Sequence, residues 1–170
     1  MTFVRPRTAL SSMLAEIASA ACRPEAERHR AVAEVISAFA GRPALLADQE
    51  FRCCPERYVR HLLHADAEGG YAVVALVWRP GQMSPVHAHR TWCAFAVHAG
   101  ILTETLYTPG DPPVPDATRL MHPGMLGHGP ARPDLIHRLA NLSCATAVSI
   151  HCYGAAFDRF GMDVNEIHAH

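Results

Sequence analysis

The chain has 170 residues, with 15 Lys and Arg against 16 Asp and Glu, and a formal net charge of -1 provides no broad electrostatic attraction for nucleic acid or a membrane surface. Hydrophobic residues make up 49% and charged ones 18%, which excludes a disordered chain and suffices for the core of one domain spanning residues 1–170. There is no apolar run of about 18 residues, and the start MTFVRPRTAL lacks the apolar stretch of a signal peptide, so a cytoplasmic protein is expected.

Residues 8–22 and 24–40 are predicted as two amphipathic helices of an N-terminal segment, 1–42. Thr8 caps the first, Pro24 opens the second and Gly41 closes it, and Ala31, Val32, Val35, Ile36 and Phe39 recur at helical spacing. From residue 43 to about 160 the texture changes to short runs rich in Val, Leu, Tyr and Trp, bounded by Gly and Pro. Strands are predicted at 58–64, 71–78, 92–97, 101–107, 135–139 and 145–153. Short strands without interleaved helices argue for a mainly β fold, an antiparallel barrel or sandwich. The Pro-rich stretch DPPVPD reads as a surface loop, and residues 161–170 as a tail whose end, EIHAH, is expected to fray.

Six cysteines, Cys22, Cys53, Cys54, Cys93, Cys144 and Cys152, show no disulfide or CxxC spacing and are expected to be reduced. Histidine is the unusual residue, with 12 copies. His87 and His89 flank one residue, and in a strand the side chains at i and i+2 share a face, so both imidazoles can reach one metal ion. His122, His128 and His137 are candidates for a third ligand. Ser149, His151 and Tyr153 alternate along the last strong strand, which places a hydroxyl, an imidazole and a phenol in a row on one face.

The segment from Pro80 to Gly100, PGQMSPVHAHRTWCAFAVHAG, resembles the first motif of the cupin superfamily, with Cys93 in place of its characteristic Glu. IHRLAN, with His137 and Asn141, resembles the end of the second cupin motif. That exchange, the Ser149-Ile150-His151-Cys152-Tyr153 run, the run from His137 to Ser143, and Tyr58-Val59-Arg60-His61-Leu62 together resemble the cysteine dioxygenases, over about residues 43–158. The resemblance implies a cupin barrel with the helices packed outside it. It also implies an Fe(II)-dependent oxidation of a small thiol by O2 to a sulfinic acid, with L-cysteine as the first expectation. His87, His89 and His137 would hold the iron and Arg60 the substrate carboxylate. Tyr153 would be the active-site phenol, with His151 and Ser149 in relay, and Cys93 would be the residue cross-linked to Tyr153.

The chain departs from the mammalian pattern in Ala88, where an acid is common, and in a one-residue shortening between His89 and Cys93. Trp92 and the Tyr-Gly-Ala at 153–155 look like the bacterial 3-mercaptopropionate branch, which carries Gln where this chain has Arg60. Oxidation of 3-mercaptopropionate is therefore an alternative. So is oxidation of mercaptosuccinate, with Arg90 or Arg159 as a second cation. Outside the class stand a zinc cupin hydrolase or isomerase and a non-catalytic ligand-binding cupin.

Overall fold

The computed structural model describes residues 8–168. Helix α1 (Ala9–Ala21) begins where the Thr8 hydroxyl accepts the Ser11 N–H at 3.1 Å, and it buries Met13, Ile17 and Ala20 one turn apart. Helix α2 (Glu25–Phe39) follows Pro24, carries Glu25 and Glu27 in its first turn, and buries Ala31, Val32, Ala33, Ile36 and Phe39. Both helices fall where the punctuation predicts them.

Among the described residues ten strands follow: β1 (Val59–Ala65), β2 (Ala72–Trp78), β3 (His87–His89), β4 (Cys93–Ala99), β5 (Leu102–Thr108), β6 (Val114–Met121), β7 (Leu126–Gly129), β8 (Arg132–Ala140), β9 (Ala147–Tyr153) and β10 (Asn165–Ile167). They form two five-stranded sheets, ordered β1-β2-β9-β4-β7 and β10-β3-β8-β5-β6, and every pairing is antiparallel. The mainly β expectation holds.

The central strands of the first sheet, β2, β9 and β4, are buried on both faces. Val74, Leu76, Trp78, Cys93, Phe95 and Tyr153 point into the space between the sheets, while Val73, Ala94, Ala96, Ile150 and Cys152 pack under α1 and α2. Double burial explains why β2 reads as the unbroken apolar run AVVALVW. The Ser37 hydroxyl donates to the Gly124 carbonyl at 2.6 Å and ties α2 to the barrel.

Three expectations need correction. The stretch DPPVPD is only partly loop, because β6 starts at Val114 and pairs with β5 through Thr108↔Val114. This edge strand is exposed from Val114 to Leu120, so no buried apolar face marked it in the sequence. The four-residue β7 also escaped notice, since Gly127 and Gly129 interrupt any strand pattern. The tail is not frayed throughout: β10 pairs with β3 in the register Asn165↔His89, Glu166↔Ala88 and Ile167↔His87.

Candidate metal centre

Strand β3 presents His87 and His89 inward, and β8 brings His137 directly opposite His87 in the ladder. Atoms able to ligate a metal on these three residues all lie within 4.8 Å of one another, and all three side chains are buried. The Nδ1–H of His87 donates to the Pro85 carbonyl at 2.9 Å, and the Nδ1–H of His137 donates to Glu104 Oε1 at 2.9 Å. Each bond fixes a tautomer and leaves Nε2 as a lone-pair donor. His89 Nε2 lies 3.0 Å from His137 Nε2. A cation between these nitrogens satisfies them together, so the donor set fits a metal ion held by neutral imidazoles. Burial, then the neighbouring His137, pushes His87 down to about 3, and the same two causes hold His89 well below the ordinary histidine value. Neutral rings are the ligating form.

His122 and His128 stay apart from this cluster. Both are exposed, and the His128 Nδ1 sits 3.0 Å from His29 Nδ1 on α2, outside the barrel.

The inward face of β9 carries a continuous row. Trp78 Nε1–H donates to Ser149 Oγ at 2.9 Å, Ser149 Oγ lies 2.8 Å from His151 Nε2, and His151 Nδ1 lies 3.1 Å from the Tyr153 hydroxyl. Two proton arrangements satisfy the row. Either Tyr153 donates to Nδ1 while Nε2–H donates to Ser149, or Ser149 donates to Nε2, Nδ1–H donates to Tyr153, and the phenol proton is free to turn elsewhere. Burial keeps His151 neutral and raises the Tyr153 phenol above its ordinary value. Phe95 stacks on His151 with centroids 5.0 Å apart and planes 10° from parallel. Gly127, its partner across the β4–β7 ladder, makes room: a Cβ there would stand 2.3 Å from Phe95 Cε1.

Arg60 on β1 closes another wall. Its Nη2 donates to the Tyr58 hydroxyl at 3.2 Å, its guanidinium lies 5.5 Å from the Tyr58 ring centroid, and Tyr58 in turn stacks on Trp78 at 4.2 Å. Arg60 Nε is buried and makes no hydrogen bond. Arg60, Tyr58, Trp78, the three clustered histidines, His151, Tyr153 and Asn165 line one small chamber. Arg90 and Arg159 do not line it; Arg90 is exposed and Arg159 pairs with Asp163 at the surface.

Cys93 is the register partner of Tyr153 across β4 and β9, so the two side chains share the inward face. The chain bends at Arg90 and Thr91 as it leaves β3 for the other sheet, and Cys93 enters β4 facing inward. Burial, then the charge of Glu104, pushes the Cys93 thiol up to about 12.

Among the residues of the site that went unread in the sequence are Trp78, Glu104 and Asn165. Glu104 left the clearest signal, as an acid at the inward position between Leu102 and Leu106 of β5.

Two antiparallel sheets thus enclose a three-histidine cluster that fits a metal ion. Similarity to solved structures supports the fold. An uncharacterised conserved protein with a double-stranded β-helix domain from Klebsiella pneumoniae matches with a TM-score of 0.54 and 15% identity, over 71% of this chain and 87% of that one. A protein of Thermus thermophilus matches with a TM-score of 0.51 and 19% identity, over 64% of this chain and 93% of that one. The family model for cysteine dioxygenase type I matches residues 25–162, and the chain belongs to that family of non-haem iron thiol dioxygenases. Among the described residues, no helix is long and apolar enough to cross a membrane.

Proposed function

We propose that this protein uses Fe(II) bound by His87, His89 and His137 to add both atoms of O2 to the sulfur of a small thiol carboxylate, with L-cysteine as substrate and cysteine sulfinic acid as product. One observation carries this reading: three imidazoles, a guanidinium and a phenol converge on one small chamber.

Three neutral ligands leave the ion its full charge, so iron, when bound, lowers the thiol pKa and brings thiolate and O2 together. The protein's own groups do the rest. Arg60 grips the substrate carboxylate, for which its unpaired Nε–H and planar fork are suited. The Ser149–His151–Tyr153 row holds the phenol over the reacting sulfur and sets the direction of its proton. The buried walls exclude bulk water. Cys93, opposite Tyr153, forms a thioether to the carbon beside the phenol oxygen in aerobic turnover; the C–S bond replaces one S–H and one ring C–H, and O2 accepts the two electrons and two protons.

Mercaptosuccinate fits less well, because Arg90 and Arg159 lie outside the chamber that a second carboxylate would need. All six cysteines are free, in keeping with a reducing cytoplasm. The test is dioxygen uptake by iron-loaded protein offered cysteine, 3-mercaptopropionate, mercaptosuccinate and cysteamine in turn. Uptake with cysteine foremost is expected. Equal or greater turnover of 3-mercaptopropionate would reassign the substrate, and zinc-supported hydrolysis without O2 uptake would reassign the class.

A further inference from the structure

Two of the three imidazoles have their outer nitrogens held, and by different partners. His87 Nδ1 faces a neutral peptide carbonyl, that of Pro85, whereas His137 Nδ1 faces a carboxylate, that of Glu104, at the same 2.9 Å. Glu104 is 3% exposed, and an acid is rarely buried so far without a strong reason. Its other oxygen, Oε2, accepts from Arg119 Nε at 2.7 Å and Nη2 at 2.6 Å, a forked pair between ladder partners on β5 and β6. Arg119 is 47% exposed, so a line of charge runs from the solvent through Glu104 to the outer nitrogen of one metal ligand.

We propose that Glu104 is a positioning residue for the metal centre, fixing the tautomer and ring angle of His137 and raising its donor strength so that His137 is the dominant of the three ligands. This inference rests on the metal-centre reading above. It also gives the centre a charge logic. The clustered ligands are all imidazoles, and the structure supplies a carboxylate at a single remove, through the His137 ring. Arg119 balances that carboxylate and holds it in line. Both Glu104 oxygens are taken by N–H donors, Oε1 by His137 and Oε2 by the Arg119 fork, a set of contacts that favours the carboxylate form.

The experiment is Co(II) titration of the metal-free protein, followed by visible absorption, with thermal unfolding of each variant measured alongside. Glu104→Gln keeps the shape and an acceptor oxygen but removes the charge. It is expected to weaken Co(II) binding by about 10- to 100-fold and to shift the Co(II) absorption bands. The double variant Glu104→Met with Arg119→Met replaces the ion pair by apolar side chains of similar length, which restores packing without restoring the charge. It is expected to regain stability while metal affinity stays low. Two results overturn the inference: a Glu104→Gln affinity equal to that of the unaltered protein, or a double variant whose affinity returns together with its stability. His137→Ala separates this from the reading beneath it. If His137→Ala loses Co(II) while Glu104→Gln keeps it, only the positioning role fails; if His137→Ala binds as well as the unaltered protein, the metal centre itself is misassigned and the inference falls with it.

Discussion

Arg60 is the clearest single-residue case, because its Nε is buried without a partner and the chamber beside it holds no other cation among the lining residues. Arg60→Ala leaves a substrate carboxylate desolvated and unpaired, which should lower kcat/KM for cysteine by about 2 to 5 kcal/mol of transition-state stabilisation. Cysteamine, which has no carboxylate, should be little affected. Equal losses for both thiols would remove the clamp role. Cys93 carries a second expectation. After aerobic turnover, peptide mass spectra should show a fragment joining Cys93 to Tyr153 that is lighter by two hydrogens than the two separate peptides. A free, alkylatable Cys93 in fully active enzyme would contradict the cross-link and leave the metal centre standing.

At the scale of elements, β10 matters more than its three residues suggest. It covers the outer edge of β3, the strand that carries His87 and His89, and it brings Asn165 to the chamber wall with an Oδ1 that is buried and unbonded. Deletion of residues 165–170 exposes the backbone of β3 and should lower both the melting temperature of the metal-free protein and its metal affinity. A truncated protein with unchanged metal affinity would make β10 a mere cover.

The same element shows where sequence reasoning runs out. β3 was legible because His-x-His with a Pro-Gly lead-in is a local pattern, and β9 because Ser149, His151 and Tyr153 alternate within five residues. β10 has no apolar run of its own; it is a strand only because β3 offers it a ladder. β6 was hidden by exposure, and Glu104 by distance, since 33 residues separate it from the histidine it holds. The register of Cys93 against Tyr153 could be settled only by the bend at Arg90 and Thr91, which no composition rule specifies.

For the whole molecule, the buried titratable groups set a pH window. His151 is buried neutral with its value lowered by burial, so below about pH 6.5 the unfolded chain takes up a proton that the native state refuses, and stability falls as pH falls. Cys152 and Cys93 are buried thiols with raised values, so above about pH 8.5 the unfolded chain loses protons that the native state keeps, and stability falls as pH rises. Each group contributes at most about 1.4 kcal/mol per pH unit on its limb. The melting temperature of the metal-free protein should therefore plateau between these limits, and Cys152→Ala should flatten the alkaline limb. A melting temperature that climbs from about pH 8.5 to about 10 would contradict this account of the core.

In the proposed reaction the three-histidine chamber directs both atoms of one O2 molecule onto a thiol sulfur. Iron-loaded protein turned over with cysteine in 18O2, with the product read by mass spectrometry, tests it directly. The account requires a sulfinic acid carrying two labelled oxygens, formed in step with O2 consumed, and lost in His137→Ala. A product with one labelled oxygen or none, or labelled product that persists without His137, would contradict it.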